Sequence, residues 1–352
     1  MPTPNYDTAQ PVMVTGATGF LAGWIVKDLL EKGFTVHAAV RDPSNTTKTA
    51  HLTKIANESP GEIKYFKADL LDEGSYEAAM AGCAVVFHTA SPFTSNIKDP
   101  QKDLVDPAVK GTQNVLNAVN RTDSVTRVVL TSSCAAIYGD SIDTTNAPGG
   151  KITEAVWNTS SSLSHIPYSY SKTMAEKAGW EIADAQDRWK LVVINPALIT
   201  GPALNAAPTS EVFNIFTQLT DGTMRAGAPH IEMGVVDVRD VAEAHLRAAF
   251  ISEANGRNIV FNRSMSFLEI GQALKAKWND LPTPSRQMPK WLLWLVGPMV
   301  NSAFSRTWVS RNVGHAWRGD NSKAVRELGL VYIPTEKSIQ DMYQNMLDAR
   351  AR

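Results

Sequence analysis

In the stretch PYSYSKTMAEKAGW, Pro167 to Trp180, two tyrosines precede a lysine inside an amphipathic helical pattern. A helix repeats every ~3.6 residues, so Tyr168 and Lys172 share one face while Tyr170 points elsewhere. A phenol and an ammonium one turn apart can serve one substrate. Upstream, RVVLTSSCAAIYG has the composition of a strand ending at Ser132-Ser133. A hydroxyl at that edge, together with Tyr168 and Lys172, can surround a carbonyl oxygen. Ser133 is the expected donor, and Ser132 takes its place if the strand register shifts by one.

The chemistry such a set performs is carbonyl reduction. Hydride delivery to a carbonyl carbon leaves charge on the oxygen, which must be stabilised by hydrogen bonds and neutralised by a proton. A free phenol, with a pKa of about 10, exchanges protons poorly at neutral pH. A neighbouring ammonium and an oxidised nicotinamide both favour the phenolate. Lys172 can also hold the nicotinamide ribose, so one residue positions the hydride donor and tunes the acid. Taken singly, Tyr168 with Lys172 also suits a solvated helix face, and Ser-Ser a strand end. A glycine loop in the right chain order makes coincidence a poor account.

That loop is VTGATGFLAGW, Val14 to Trp24, which follows a strand and opens a helix. Gly16 permits the tight turn and Gly19 lets the backbone approach a pyrophosphate at the positive end of the helix. Thr18, Phe20 and Leu21 complete the expected contact surface. The spacing is G-x-x-G-x-x-A, with Ala22 still small enough for close helix packing. The second strand, TVHAAV, ends in Arg41, with Lys48 in the next turn. Two cations there suit the 2′-phosphate of NADP, whereas an acid would suit the ribose hydroxyl of NAD. Asp42 next door reverses the choice if it faces the ribose. Asp69 and Leu70 close the third strand where an adenine would lie. Thr89, Ala90 and Ser91 close the fourth, where small side chains leave room for a ribose and nicotinamide.

The elements that must position these residues read clearly. PVMVTG, TVHAAV, IKYFKAD, AVVFHTA, RVVLTSS and LVVINPALI are apolar runs alternating with helical patterns. This predicts an α/β fold, a Rossmann doubly wound parallel sheet with its ligand crevice at the carboxyl ends of the strands. The rhythm changes near residue 200, so residues 1–200 are expected to bind NADP and 201–352 to form a smaller mixed α/β lobe for substrate. VVDV and NIVFN, within 233–262, can return to the first sheet. Asp240 is placed to cap a helix over Ala242 to Ala249. The segment from Tyr138 to Ile166 is a long Ser/Thr/Gly-rich connection, a common home for function. Phe93, Tyr138, Phe213 and Phe216 are the expected substrate contacts. WLLWLVGPMV, from Trp291, is too short to span a bilayer and reads as a buried or lid segment.

Bulk properties narrow the partners. The 352 residues include 34 basic and 35 acidic side chains, a net charge of -1, which argues against nucleic acid or a membrane surface recognised by bulk charge. Two cysteines, Cys83 and Cys134, indicate no disulfide framework and are expected to be buried. The seven histidines show no paired ligand spacing, so no metal is expected. The polar start, MPTPNYDTAQ, lacks a signal-peptide pattern, and a cytoplasmic monomer or homodimer acting on a small carbonyl compound is expected.

Residues 11 to 250 resemble the extended short-chain dehydrogenases/reductases, and more narrowly the dihydroflavonol-reductase-like group with its cinnamoyl-CoA, methylglyoxal and related carbonyl reductases. The matching residues are VTGATGFLAGW, VRDPSNTTK, ADLLDEGSYEAAMAGC, FHTASPF, PAVKGTQNVL, RVVLTSS, YSYSKTMAEKAGW and NPALITGP. The resemblance implies Ser133, Tyr168 and Lys172 as the catalytic triad and Arg41 and Lys48 on the NADP phosphate. It also implies that Pro196 and Ile199 lie against the nicotinamide. The chain departs from the pattern in three places. Ala108 stands where some members carry an asparagine, Tyr138 where flavonoid enzymes carry a substrate-orienting one, and IPYSYSK lacks the Asn-Trp-Tyr signature of cinnamoyl-CoA enzymes. These departures argue against a native phenylpropanoid or flavonoid substrate. Hydroxysteroid-type alcohol oxidation, nucleotide-sugar epimerisation and a non-enzymatic NADP-binding redox sensor are the competing readings.

Overall fold

Runs of Val, Ile and Phe without polar alternation must bury both faces, and they assemble into one central sheet. The computed structural model describes residues 2–91, 97–205, 210–300 and 304–351. The first half runs β1 (Val12–Thr15), α1 (Phe20–Glu31), β2 (Thr35–Val40), α2 (Thr46–Asn57), β3 (Glu62–Lys67), α3 (Glu77–Met80), β4 (Val85–His88), α4 (Asp106–Asn120), β5 (Arg127–Thr131), α5 (Ser141–Asn146), α6 (Pro167–Asp184), β6 (Lys190–Pro196) and β7 (Leu198–Thr200). The second runs α7 (Glu211–Thr220), β8 (Ala228–Pro229), β9 (Glu232–Asp237), α8 (Val238–Phe250), β10 (Gly256–Val260), β11 (Arg263–Ser266), α9 (Phe267–Lys275), β12 (Gln287–Met288), α10 (Lys290–Val300), α11 (Arg306–Asn312), α12 (Ser322–Leu328) and α13 (Thr335–Arg350).

The seven-stranded sheet has the order β10-β6-β5-β4-β1-β2-β3, and every pairing in it is parallel. The winding reverses between β1 and β4, which opens a crevice beyond their carboxyl ends. β1 and β4 are buried throughout, whereas the edge strand β3 alternates with solvent. One face is covered by α1 and α8 around Ile25, Leu29, Val241 and Leu246. The other is covered by α4, α6 and their neighbours around Val115, Leu116 and Ala183.

Of the two later runs, β10 lies beside β6 in the large sheet, whereas β9 belongs to a three-stranded sheet of order β11-β9-β7. That small sheet, α7, α9 and α13 share a separate core containing Phe216, Met265, Ile270 and Met342. β8 and β12 form a short two-stranded pair.

Two expectations are corrected here. The cap of α8 is Asp237, whose side chain accepts from Arg239 N at 2.8 Å. Asp240 lies inside the helix, accepts from Ile333 N, and is pushed up to about 7 by desolvation. Likewise α10 is only partly buried: Leu293 packs with Val309 and Val313, while Trp291, Leu295 and Met299 face solvent. Among the described residues no helix is long and apolar enough to cross a membrane.

Candidate active site

The turn after β1 is built for close approach. Gly16 has φ +62°, and a Cβ there would meet Ala90 Cα at 3.1 Å, so a larger residue is excluded by both conformation and space. Gly19 is the N-cap of α1 and brings no side-chain acceptor, and no acid sits in the first turn. The positive end of this helix is therefore uncompensated from within, as an anion site requires. Thr18 and Phe20 are half-buried beside it and Leu21 is buried. Asn205 Nδ2 donates to Thr18 O at 3.1 Å, so the segment after β7 reaches over the turn. These residues fit a dinucleotide diphosphate.

Arg41 directly follows β2, and Lys48 lies in the first turn of α2; both are exposed. Asp42, the rival partner for a ribose, accepts instead from Ser44 Oγ at 2.6 Å and Ser44 N at 3.0 Å, which holds its carboxyl below the usual range. Asp69 Oδ1 accepts from Leu71 N, which folds the chain around the half-buried Leu70. At the end of β4, Thr15 Oγ1 accepts from the amides of Thr89 and Ala90, and Thr89 Oγ1 returns a bond to Thr15 O. With its oxygen thus occupied, Thr15 gives its proton to His88 Nδ1 at 3.0 Å. Burial and nearby Lys172 push His88 down to about 3, so it is a neutral packing residue.

Lys172 Nζ donates to Ser91 Oγ at 2.9 Å and lies 5.8 Å from the centre of the Tyr168 ring. Tyr168, in the first turn of α6, is 48% exposed. Ser133 caps a turn of 3-10 helix at Cys134–Ala136 and its Oγ accepts from Ala135 N at 3.1 Å, leaving its proton without a partner among the described residues. Ser132 is no substitute: it is buried and its hydroxyl donates to Glu176 Oε2. The three candidate groups thus stand on α6 and at the end of β5, on the side of the sheet where the glycine turn lies. Buried Pro196 and half-buried Ile199 end β6 and sit in β7.

The expected substrate contacts fare unevenly. Tyr138 packs edge-on to Trp317, and burial pushes its phenol well above the usual range. Phe213 is half-buried with its ring edge-on to Phe20 at 5.2 Å, next to the cofactor turn. Phe216 has no accessible surface and belongs to the core shared by the small sheet, α7, α9 and α13, so it is not a substrate contact. Phe93 lies outside the described residues.

Sequence reasoning missed the group behind the site. Glu176, one turn after Lys172, is 1% exposed and pairs with Arg257 Nε at 2.6 Å. A lone cation inside the apolar run GRNIVF was the available signal, because a charge in a buried strand needs a partner. Both cysteines are buried, as their type suggests. Among the described residues no cluster of His, Cys, Asp or Glu could hold a metal.

A model of the NAD dependent epimerase/dehydratase family matches residues 12–262. The cinnamoyl-CoA reductase CAD2 of Medicago truncatula is 35% identical over 96% of this chain and 96% of its own. Tetraketide alpha-pyrone reductase 1 of Arabidopsis thaliana is 37% identical over 78% of this chain and 83% of its own. Among solved structures, yeast methylglyoxal/isovaleraldehyde reductase Gre2 complexed with NADPH superposes with a TM-score of 0.77 at 27% identity, covering 97% of this chain and 99% of that one. The chain belongs to the NAD dependent epimerase/dehydratase family, as an extended short-chain dehydrogenase/reductase of the dihydroflavonol-reductase-like group.

Proposed function

We propose that this protein is an NADPH-dependent reductase that converts an aldehyde or ketone to an alcohol. The observation that carries the reading is the bond from Lys172 to Ser91, which ties the helix bearing Tyr168 to the end of the strand beside the glycine turn. Gly16, Thr18, Gly19, Phe20 and Leu21 would hold the diphosphate, Arg41 and Lys48 the 2′-phosphate, and Asp69 and Leu70 the adenine. Thr89, Ala90, Ser91, Pro196 and Ile199 would flank the nicotinamide end. Bound there, the reduced cofactor supplies a hydride to the carbonyl carbon.

The remaining work falls to three side chains. Ser133 donates its hydroxyl proton as a hydrogen bond to the carbonyl oxygen, holding it where negative charge develops. Tyr168 gives that oxygen a proton. The ammonium of Lys172 stabilises the phenolate left behind and, by its second contacts, the ribose. The named reductases among the relatives support this direction of reaction, and the NADPH in the yeast structure together with Arg41 supports the phosphorylated cofactor.

The test is NADPH absorbance loss with purified protein and a panel of aromatic aldehydes, diketones and bulky ketoesters. Turnover with at least one class is expected. A tightly copurifying NAD with no net NADPH oxidation would point to epimerase chemistry and overturn the proposal.

A further inference from the structure

Next to Ser133 and Lys172, at the inner wall of the cavity that Ser91 and Lys172 also line, lies a buried ionic knot. Glu176 projects from α6 with its carboxylate fully enclosed. Its Oε1 accepts from Arg257 Nε at 2.6 Å and from Trp180 Nε1 at 3.2 Å. Its Oε2 accepts from Ser132 Oγ at 2.5 Å, from Asn195 Nδ2 at 2.8 Å and more distantly from Arg257 Nη2. One carboxylate thus joins α6, the end of β5, the end of β6 and β10.

Three of its four donors, Ser132, Asn195 and Arg257, also meet the peptide around Ser133. Ser132 precedes it, Asn195 Nδ2 also donates to the Ser133 carbonyl at 3.2 Å, and Arg257 Nη2 reaches the Ala136 carbonyl just beyond. Arg257 Nη1 donates to the carbonyls of Val156 at 2.6 Å and Glu154 at 3.0 Å, and its guanidinium lies 3.9 Å from the centre of the Trp157 ring. A planar cation filled on several edges and stacked on one face has little freedom. A buried pair of this kind is a poor source of net stability, because desolvation offsets much of the attraction, but it can fix geometry.

Resting on the reductase reading above, we propose that Glu176, Arg257 and Ser132 are positioning residues that set the spacing between Ser133 and the Tyr168–Lys172 pair. Tyr168, Lys172 and Glu176 follow one another at four-residue spacing on one face of the same helix, so a shift of the helix at its Glu176 anchor is carried to the ammonium and phenol. Ser132 is the cleanest probe, because removing one hydroxyl leaves the ion pair intact.

Ser132→Ala is expected to lower kcat on the order of tenfold, the scale of a sub-ångström displacement of reacting groups, with the Kd for NADPH unchanged. Amide hydrogen exchange over Ser133 to Ile137 is expected to quicken, and Ser132→Thr, which keeps the hydroxyl, to restore both. Glu176→Gln is expected to lower kcat further; should it fail to fold, the Ser132 pair of variants still decides. A wild-type kcat in Ser132→Ala overturns the proposal, as does a fall without faster exchange or without rescue by threonine. Wild-type protein that turns over no carbonyl compound would defeat the reductase reading instead, while the exchange comparison would still judge the positioning claim.

Discussion

Lys172 on α6 and Ser91 after β4 meet at 2.9 Å although 81 residues separate them in the chain. A long, flexible amine is thereby held beside the Tyr168 ring and not left to sample solvent. We predict that Ser91→Ala costs about 1 kcal/mol of transition-state stabilisation, roughly fivefold in kcat/KM for the carbonyl substrate. Steady-state kinetics at saturating NADPH check this, and an unaltered kcat/KM would show that the serine does not position the lysine.

The cations after β2 should decide between the two nicotinamide cofactors, because Asp42 is turned onto Ser44 and away from competition. Replacing both, Arg41→Ala with Lys48→Ala, is predicted to weaken NADPH binding on the order of 10- to 100-fold, the worth of charge-assisted hydrogen bonds. NADH binding should change little. Fluorescence titration of both cofactors gives the answer, and equal losses for the two would remove the phosphate role.

Tyr168 is reached through a strained residue. Ile166, two positions earlier, has φ 51°, a left-handed conformation that a β-branched side chain adopts at a cost of roughly 1–3 kcal/mol. The restraint comes from its neighbour: His165 Nε2 lies 2.9 Å from Asp140 Oδ1, and buried Asp140 is also held by Arg311 and Asn312. Ile166→Gly is predicted to leave the thermal midpoint level or raised while lowering kcat a few-fold, because the glycine relieves strain and loosens the approach to α6. A lowered midpoint with full kcat would be the opposite outcome.

Much of this architecture is legible in the sequence. The apolar runs at β1, β2, β4 and β5 have no alternative to burial on both faces, and chain order then places Gly16, Ser133, Tyr168 and Lys172 at one edge. What stays hidden depends on long-range pairing. LVVINPALI reads as one strand but divides into β6 and β7, which join different sheets. Glu176 reads as an ordinary helix-surface acid until Arg257, from a strand 81 residues later, meets it in the interior. Asp240 is the cap that residue type suggests, but the extended backbone at Asp237, with φ -75° and ψ 141°, puts the cap three residues earlier. α10 defeats the rule that apolar residues are buried, since its two faces are both apolar and only one meets α11.

Acid should unfold the protein through two buried histidines. His88 and His245 are pushed down to about 3 and about 4, chiefly by desolvation. His245 accepts from the Thr131 hydroxyl at Nε2 and donates from Nδ1 to Val241 O, so a second proton destroys a buried acceptor. Unfolding therefore takes up protons below pH ~6.5, and the stabilisation present above that value is lost as pH falls toward the folded-state values. The expected loss is roughly 1–2 kcal/mol per histidine between pH 6.5 and 5. Asp240, held up to about 7, works in the opposite sense, its contribution fading as pH rises through that value. Denaturant midpoints for wild type and His245→Gln separate the terms: the variant should show the shallower acid slope, and identical slopes would remove His245 from the account.

The central claim is that the Tyr168 phenol delivers the proton to the substrate oxygen. Tyr168→Phe deletes one oxygen atom from a half-exposed side chain, so fold and cofactor site should survive. NADPH oxidation by this variant is the direct measurement. The account predicts a fall in kcat of at least about 100-fold with the Kd for NADPH within a few-fold of wild type. Undiminished turnover would contradict it.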